Sequence, residues 1–383
     1  MRTDFSDVSF KNDGRLRLLV IVGTRPEVIR LSEVVKKCRE HFDCLLAHTG
    51  QNYDYSLNGV FFRDLELGDA DVYLDAAGED LGETIGAIVD ASYKLMAAVR
   101  PDALLVLGDT NSCLSAIPAK RLHIPIFHME AGNRCFDENL PEEVNRRIVD
   151  TVSDVNLCYS EHARRNLANM GCDPARTFVV GSPMREVLNA HKAKISESDV
   201  VARLGLEEGG YILLSAHREE NIDDERNFSE MVGAVNALAE EHGMPVLYSM
   251  HPRSRRFAEE RGAEFHPLVR AHRPFGFCDY VRLQKGAFCV VSDSGTLAEE
   301  SAILGFPAVS LRTSTERPEV VDRGVFTLGG ITAEQLLQAI RVETALAGGE
   351  APVPDYTDER CSAKVVKIIQ GYAGYVNRLV WGK

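Results

Sequence analysis

Three acidic residues stand where carboxylates can transfer protons together. Asp109 lies in GDTNS at the end of the apolar run ALLVLGD, and Glu130 directly follows the run IPIFHM. Glu142 lies at the start of the predicted helix PEEVNRRIVD. Carboxylates that share a site raise some of their pKa values, which suits them to donate and accept protons near neutral pH. The alternatives are that Asp109 caps a helix and that Glu142 complements a helix dipole.

The loop GTRPEV, residues 23–28, has the composition of an anion site. It follows the apolar run LLVIV and places Arg25 just before Pro26, a residue favoured in the first turn of a helix. Free backbone N–H groups and the helix dipole attract an anion to such a loop. A plain strand-to-helix turn is the alternative. The loop lacks the G-x-G-x-x-G pattern, which disfavours a tightly bound dinucleotide.

A second loop of this kind is SDSGTLAEE, residues 292–300. Ser294, Gly295 and Thr296 offer hydroxyls and a flexible backbone at a predicted helix start, which suits a diphosphate. Glu299 and Glu300 follow one turn later, where a carboxylate suits the paired hydroxyls of a ribose. The alternative is an N-cap serine followed by a solvated pair of glutamates.

Three further polar loops follow apolar runs. In SAHREENID, His217 stands at a predicted strand end beside Arg218, where ligand groups lie in doubly wound folds, although a lone histidine is more often structural. RTSTERPEV contains Arg312, Glu316 and Arg317. HPRSRRF, residues 251–257, is denser in charge, and a basic helix face is its favoured interpretation.

The elements that position these loops form a parallel α/β pattern. Short apolar runs alternate with amphipathic stretches of ten to fifteen residues, which predicts two Rossmann-like doubly wound domains with helices on both sheet faces. Ligands bind at the carboxyl ends of such strands, so we expect the active site in an interdomain cleft. The predicted segments are a polar extension at 1–15, domains at 16–190 and 191–365, and a C-terminal helix at 366–383.

Composition excludes several classes of protein. The 383 residues carry a formal net charge of −14, which repels nucleic acid and anionic lipid, and no apolar stretch is long enough to span a membrane. The nine cysteines form no C-x-x-C pair, which argues against a disulfide framework and a zinc site. With no recognisable secretory signal, we expect a cytoplasmic protein without a metal.

Eight motifs occur in an order that resembles the non-hydrolysing UDP-N-acetylglucosamine 2-epimerase family. They cover nearly the whole chain: GTRPE, HTGQNYD, GDTNS, HMEAGNR with PEEVNR, GSPMREVL, AHREEN, SDSGTLAEE and RTSTERPE. The resemblance implies domains of the GT-B type, a UDP-sugar substrate, no cofactor, a homodimer, and a C-terminal helix that returns to the first domain.

The resemblance also assigns roles to individual residues. It implies that Asp109, Glu130, Glu142 and His217 are catalytic. It implies that UDP and substrate are bound by Arg25, Arg30, Arg134, Arg146, Ser294, Gly295, Thr296, Glu300 and Arg312. Two of these depart from the family pattern, since Arg30 replaces a lysine and Thr296 replaces a second glycine.

A third departure concerns the substrate. Met129-Glu130-Ala131-Gly132-Asn133-Arg134 replaces the usual Val-Glu-Ala-Gly-Leu-Arg. This form, with SDSGT, resembles the branch that converts UDP-2-acetamido-2,6-dideoxy-L-talose into UDP-N-acetyl-L-fucosamine for surface polysaccharide synthesis. Interconversion of UDP-GlcNAc and UDP-ManNAc is the second possibility. A GT-B glycosyltransferase and a non-catalytic UDP-sugar sensor are the alternatives from other classes.

Overall fold

The computed structural model describes residues 1–50, 62, 64–349 and 351–383, without the side chains of Glu219 and Glu220. The chain forms two compact units. The first comprises Met1–Ala190 and Thr357–Lys383, and the second comprises His191–Tyr356. Each unit contains a parallel sheet with helices, so the prediction of two doubly wound α/β domains is confirmed. Residues 51–54 of the HTGQNYD motif lie outside the described residues.

In its described residues, the first unit contains seven parallel strands. These are Arg17–Val22 (β1), Asp43–His48 (β2), Val72–Tyr73 (β3), Ala103–Leu107 (β4), Ile126–Met129 (β5), Val155–Cys158 (β6) and Thr177–Val179 (β7). Their spatial order is β3-β2-β1-β4-β5-β6-β7. The helices before residue 191 are Arg25–His41 (α1), Leu81–Val99 (α2), Ala116–Arg121 (α3), Pro141–Val152 (α4), Glu161–Asn169 (α5) and Met184–Ala190 (α6), with 3-10 helices at Asn111–Ser115 and Pro174–Arg176.

The part of the second unit that the structure describes has six parallel strands. They are Ile212–Ser215 (β8), Val246–Ser249 (β9), Val269–His272 (β10), Cys289–Ser292 (β11), Ala308–Ser310 (β12) and Thr327–Leu328 (β13). Their spatial order is β10-β9-β8-β11-β12-β13. The helices are Lys192–Glu197 (α7), Val200–Arg203 (α8), Glu219–Ile222 (α9), Glu225–His242 (α10), Pro252–Glu260 (α11), Phe277–Gly286 (α12), Leu297–Leu304 (α13), Pro318–Val321 (α14) and Ala333–Leu346 (α15), with a 3-10 helix at Pro354–Tyr356.

Strand composition explains why the central strands lie inside both units. All five residues of β4 and the four residues of β11 are buried. A strand covered by helices on both faces needs apolar side chains on both faces, which is why these runs do not alternate with polar residues. Among the described residues, no helix combines the length and the apolar character needed to cross a membrane.

The N-terminal segment is not the ragged extension that its polar composition predicts. Phe5 and Phe10 are buried in the apolar core of the first unit. The backbone N–H of Arg2 donates to the carbonyl of Leu74 at 2.9 Å, and the N–H of Asn12 donates to the Asp43 carboxylate at 2.7 Å. The two buried aromatic side chains and these backbone hydrogen bonds together hold this polar stretch against the first unit.

The C-terminal helix, Cys361–Leu379 (α16), begins earlier than predicted and belongs to the first unit, where it packs against α1. Residues 357–365, which we assigned to the second domain, therefore belong to the first. The start of α16 is fixed by the Glu186 carboxylate, which accepts from the backbone N–H of Ser362 at 2.9 Å. Its end is fixed by Trp381, which stacks on His123 with a centroid separation of 4.1 Å.

Both sheets reverse their strand order at one point, and the polar loops gather there. The reversal lies between β1 and β4 in the first unit and between β8 and β11 in the second. Leu107 of β4 pairs with Met129 of β5, so the segments that lead to Asp109 and Glu130 leave the sheet side by side. In the same way, Ser215 pairs with Ser292, so the loops of His217 and Ser294 are neighbours. Parallel sheets bind ligands at this edge.

Candidate active site

Glu130 occupies a strained backbone position in the first unit. It directly follows β5 and has a φ of +66°, a left-handed conformation that costs a non-glycine residue about 1 kcal/mol. The preceding loop from β4 contains Gly108, whose φ is +71°. A Cβ at Gly108 would lie 3.5 Å from the Glu130 carboxylate, an ordinary contact, so the positive φ and not a lack of space favours glycine here. Strain of this kind is often retained at functional sites.

Two buried arginines hold the carboxylates of Asp109 and Glu130. One Nη atom of Arg146 on α4 pairs with Asp109 and lies 4.0 Å from Glu130 Oε1. Arg30 on α1 pairs with the other oxygen of Glu130. The structure therefore brings together four predicted site residues, which we name the acid–arginine cluster: Arg30, Asp109, Glu130 and Arg146. Arg25 is half-buried at the first residue of α1.

The third predicted acid, Glu142, does not join this cluster. It lies half-buried in the first turn of α4 and makes no hydrogen bond or ion pair with any described residue. Its neighbour Glu143 is fully buried and accepts from the backbone N–H of Cys135 at 3.1 Å and from Arg147 Nε at 3.0 Å. The first turn of α4 therefore contains Glu143, whose carboxylate is hydrogen-bonded within the fold, and Glu142, whose carboxylate has no such bond among the described residues.

Glu27 connects the loops on both sides of the strand reversal, a role that sequence reasoning missed. Its carboxylate accepts from the backbone N–H of Gly23 at 3.1 Å, from the hydroxyls of Thr24 at 2.8 Å and Thr110 at 2.9 Å, and from the hydroxyl of Ser112. Burial raises the pKa of Glu27, and these hydrogen bonds only partly oppose that rise. The hydroxyls of GDTNS, read together with the acid of GTRPE, are the signal that indicates this link.

Arg134, a predicted substrate ligand, is buried in a network beneath the acids. Its Nη2 donates to Asp150 at 2.6 Å. Asp150 Oδ1 lies 2.9 Å from His128 Nδ1, while His128 Nε2 contacts the carbonyl oxygen of Gly108 at 2.8 Å. Burial alone would raise the pKa of Asp150, but His128 and Arg134 outweigh it and hold the pKa below its ordinary value. Arg134 therefore supports the fold here, and its predicted contact with substrate remains a prediction.

In the second unit, His217 lies in the loop that follows β8, and the buried carboxylate of Asp293 accepts hydrogen bonds from this loop. Asp293 Oδ2 accepts from the backbone N–H groups of His217 and Arg218, both at 2.9 Å, and from Asn221 Nδ2 at 3.1 Å. Asp293 Oδ1 lies 3.3 Å from His217 Nδ1. Sequence reasoning included Asp293 in the SDSGT motif but gave it no role.

The predicted diphosphate loop presents hydroxyls at the start of α13. Ser294 Oγ and Thr296 Oγ1 lie 3.0 Å apart, and the Thr296 N–H donates to Ser294 Oγ at 3.3 Å. Ser294, Gly295 and Thr296 are all half-buried. A Cβ added to Gly295 would meet nothing nearer than Arg218 Nη2 at 3.8 Å. The loop therefore presents the hydroxyls of Ser294 and Thr296 beside open space at Gly295.

The glutamates on α13 are buried, so the alternative of a solvated pair is wrong. Glu300 accepts a hydrogen bond from Gln284, and Glu299 accepts one from Arg317 at 3.1 Å. The predicted ligand Arg312 is also buried, and it forms a bidentate pair with Glu316 at 3.0 and 2.9 Å. The Glu299–Arg317 pair ties α13 to the loop that follows β12, and the Arg312–Glu316 pair lies within that loop.

The charged stretch HPRSRRF forms the start of α11 and much of its length. His251 accepts from the backbone N–H of Arg253 at 3.3 Å, and the side chain of Arg256 is 64% exposed. This arrangement agrees with the basic helix face that we favoured. Across the described residues, no group of three or more His, Cys, Asp or Glu side chains is arranged to hold a metal ion.

Comparison with known proteins places these loops in a family. The family model for UDP-N-acetylglucosamine 2-epimerase matches residues 36–370. A UDP-2,3-diacetamido-2,3-dideoxy-D-glucuronate 2-epimerase from Pseudomonas aeruginosa is 32% identical over 332 residues, which are 85% of this chain and 92% of that protein.

Two solved structures share this fold over 93% or more of the chain. A UDP-N-acetylglucosamine 2-epimerase from Rickettsia bellii is 41% identical with a TM-score of 0.89, covering 96% of this chain and 100% of the other. The UDP-GlcNAc 2-epimerase from Methanocaldococcus jannaschii, in complex with UDP-GlcNAc and UDP, is 29% identical with a TM-score of 0.88, covering 93% and 100%. The family model spans most of the chain, and the chain therefore belongs to the UDP-N-acetylglucosamine 2-epimerase family.

Proposed function

We propose that this protein inverts C2 of a UDP-N-acetyl amino sugar by eliminating UDP and adding it back. Family membership and the UDP-GlcNAc complex of the Methanocaldococcus jannaschii relative support a UDP-sugar substrate. The observation that carries the proposal is the acid–arginine cluster, in which carboxylates from two adjacent strand ends are held by one buried guanidinium. Fixed carboxylates at this edge of a parallel sheet suit proton transfer to a bound ligand.

The chemistry explains why both acids and UDP-binding groups are needed. The C2 hydrogen is not acidic, because no carbonyl group is attached to that carbon. Departure of UDP places positive charge at C1, which acidifies the C2 hydrogen, and loss of that hydrogen gives a 2-acetamidoglycal. Protonation of C2 from the opposite face and return of UDP then give the epimer. No electrons are exchanged with a cofactor in this sequence.

The proposed roles divide between the two units. Asp109, Glu130 and Glu142 share the proton transfers at C2, since general acid–base catalysis needs a group on each face. Arg146 and Arg30 fix the first two acids, and Arg25 attracts the diphosphate. In the second unit, His217 and the loop of Ser294, Gly295 and Thr296 bind UDP, because hydroxyls and helix-start N–H groups match phosphate oxygens. Arg134, Glu300 and Arg312 remain predicted substrate ligands.

For the substrate, we propose UDP-2-acetamido-2,6-dideoxy-L-talose, with UDP-N-acetyl-L-fucosamine as product. The support is the sequence around Glu130, where Asn133 replaces the leucine of the usual family pattern. UDP-GlcNAc is the second candidate substrate. The proposal includes a cytoplasmic homodimer that supplies surface polysaccharide synthesis.

Incorporation of solvent deuterium tests the reaction. The protein is incubated in D2O with UDP-GlcNAc or with the 6-deoxy-talose compound, and C2 is followed by NMR. We expect deuterium at C2 with both epimers present, and faster exchange with the 6-deoxy-talose compound. Faster exchange with UDP-GlcNAc overturns the substrate assignment alone. Free UDP with a glycosylated acceptor identifies a glycosyltransferase, and no change in the sugar identifies a sensor.

Acid-to-amide substitutions test the assigned roles. We expect Glu130→Gln and Glu142→Gln each to lower exchange by about 10²-fold or more, since general acid–base catalysis contributes 10²–10⁴-fold. UDP binding, measured by calorimetry, should persist. Glu138→Gln, on an exposed residue that pairs with Arg147, is the matched control and should retain exchange. Retained exchange in both site variants removes these acids from the mechanism.

A further inference from the structure

Asp293 is a buried acid that collects hydrogen-bond donors at the strand reversal of the second unit. Its side chain is fully buried, and Oδ2 alone accepts from the backbone N–H groups of His217 and Arg218 and from Asn221 Nδ2. The backbone carbonyl of Asp293 accepts from Arg218 Nε at 2.9 Å. These bonds orient the carboxylate so that the second oxygen, Oδ1, has a fixed direction.

That second oxygen faces the ring of His217. Oδ1 lies 3.3 Å from Nδ1, and the nearest other ring is that of His251, with a centroid separation of 6.3 Å. An ionised carboxylate only accepts hydrogen bonds, so the ring nitrogen that faces it carries a hydrogen. The His217 side chain is 42% exposed, and Nε2 makes no hydrogen bond within the described residues. Contacts of this kind commonly shorten when a ligand binds.

We propose that Asp293 is a positioning residue that holds His217 in the Nδ1–H tautomer, so that Nε2 is the nitrogen that exchanges a proton with the substrate's β-phosphate. This inference rests on the proposed function. In the substrate complex, His217 carries a hydrogen on each ring nitrogen. As the C1–O bond breaks, its electron pair goes to the β-phosphate oxygen, and the proton on Nε2 moves to that oxygen. Neutral His217 then keeps its hydrogen on Nδ1, against Asp293. Return of UDP to C1 returns the proton to Nε2.

Asp293→Asn is the informative substitution because it nearly preserves shape. The three N–H donors on Oδ2 need an acceptor, so the asparagine oxygen takes that place and its NH2 group faces His217. Nδ1 must then accept, and the hydrogen moves to Nε2. A carboxylate that only supports the loop gives no such inversion of the tautomer.

The tautomer is measured directly by long-range 1H–15N NMR on protein with 15N-labelled histidine. His217→Asn assigns the signal among the 11 histidines of the chain. We expect the Nδ1–H form in the wild type and the Nε2–H form in Asp293→Asn. An Nε2–H tautomer in the wild type, or the same tautomer in both proteins, overturns the proposal. This measurement needs no turnover, so it is interpretable even if the proposed epimerase activity is absent.

Kinetics test whether Asp293 acts through His217. We expect Asp293→Asn to lower kcat by about 10²-fold or more, with a smaller change in KM. In a His217→Asn background the same substitution should cost less than about threefold, because the group that it positions is gone. Equal losses in both backgrounds contradict the proposal.

Asn221→Ala is the matched control for folding. It removes one donor to Asp293 and a contact with the Leu311 carbonyl, but it leaves the carboxylate facing His217. We expect this variant to keep the Nδ1–H tautomer and to lose less than about tenfold in kcat. If it instead matches Asp293→Asn in both properties, the carboxylate acts only as a loop support.

Discussion

Each unit contains a buried aspartate that faces Nδ1 of a histidine, and the two pairs differ at the second ring nitrogen. Asp150 lies 2.9 Å from His128 Nδ1, and Nε2 of His128 contacts the Gly108 carbonyl at 2.8 Å. Asp293 lies 3.3 Å from His217 Nδ1, and Nε2 of His217 has no partner in the described parts of the chain. His128 is fully buried, whereas His217 is exposed.

The same aspartate–histidine pairing therefore has two different roles in the two units. A histidine with both nitrogens facing protein acceptors is committed to the fold, because releasing either contact leaves a buried polar group unpaired. A histidine with one nitrogen open keeps a position for a ligand. The first pair fixes the backbone that carries Asp109 and Glu130, and the second pair presents His217 itself.

Alanine substitutions of the two histidines should give the largest difference in stability between the two pairs. We expect His128→Ala to destabilise the first unit by about 3–5 kcal/mol, because Asp150 and Arg134 lose part of a buried charge network. His217→Ala should cost about 1 kcal/mol or less in the second unit, because solvent reaches that site. Hydrogen exchange of the β5 and β8 amides measures the two local stabilities. Equal costs in the two units contradict the comparison.

The pH dependence of the first pair gives the next largest effect. The folded-state pKa of Asp150 is lowered, so its contribution to stability is present above the ordinary value of 3.8 and is lost as pH falls through the folded-state value. We expect Asp150→Asn to cost about 3 kcal/mol at pH 7. The gap between the unfolding free energies of the variant and the wild type should narrow below about pH 4.

Surface aspartate Asp90 provides the control for this measurement. It pairs with Lys94 on the exposed face of α2. Asp90→Asn should change the unfolding free energy by less than about 0.5 kcal/mol across the same pH range, because exposed pairs contribute little. If the difference in unfolding free energy between Asp150→Asn and the wild type does not change with pH, Asp150 stabilises the first unit through its shape and not through its charge.

Gly132→Ala tests how tightly the loop after Glu130 is packed. Gly132 has a φ of +82° and donates its N–H to Asp150 at 3.2 Å, and a Cβ there would lie 2.3 Å from the Ala163 carbonyl oxygen. Gly171 has a similar φ of +80° and open space around it. Gly171→Ala therefore measures backbone strain alone, about 1 kcal/mol. We expect Gly132→Ala to cost about 1–3 kcal/mol more, by urea unfolding.

The ends of the strands can be predicted from the sequence because the residues that mark them are adjacent in the chain. Apolar runs of β-branched and leucine residues followed by glycine and acids mark the loops of Asp109, Glu130 and Ser294, and a parallel sheet must bring adjacent strand ends together. The acid–arginine cluster follows from this rule once α1 and α4 are predicted correctly.

The buried partners are not predictable in this way. Asp150 and His128 are separated by 22 positions and Asp293 and His217 by 76, so no local spacing connects them. Asp150 lies near the end of a predicted helix, where a buried aspartate and a solvent-exposed one give the same sequence pattern. Hydrophobic periodicity shows which face of the helix a residue lies on, but it does not show which residue it contacts. The burial of Phe5 and Phe10 was missed for the same reason, since their neighbours are polar.

We expect the smallest change in stability from a glycine substitution in the Ser294 loop of the second unit. Gly295 follows Asp293 by two residues, as Gly132 follows Glu130, but its φ is not in the left-handed region and an added Cβ would lie 3.8 Å from its nearest neighbour. Gly295→Ala should therefore change the unfolding free energy by less than about 0.5 kcal/mol. Any weakening of UDP binding, measured by calorimetry, then comes from the methyl group entering the space for the diphosphate. A stability loss as large as that of Gly132→Ala would show instead that the Ser294 loop is packed as tightly as the Glu130 loop, and is not a surface kept open for a ligand.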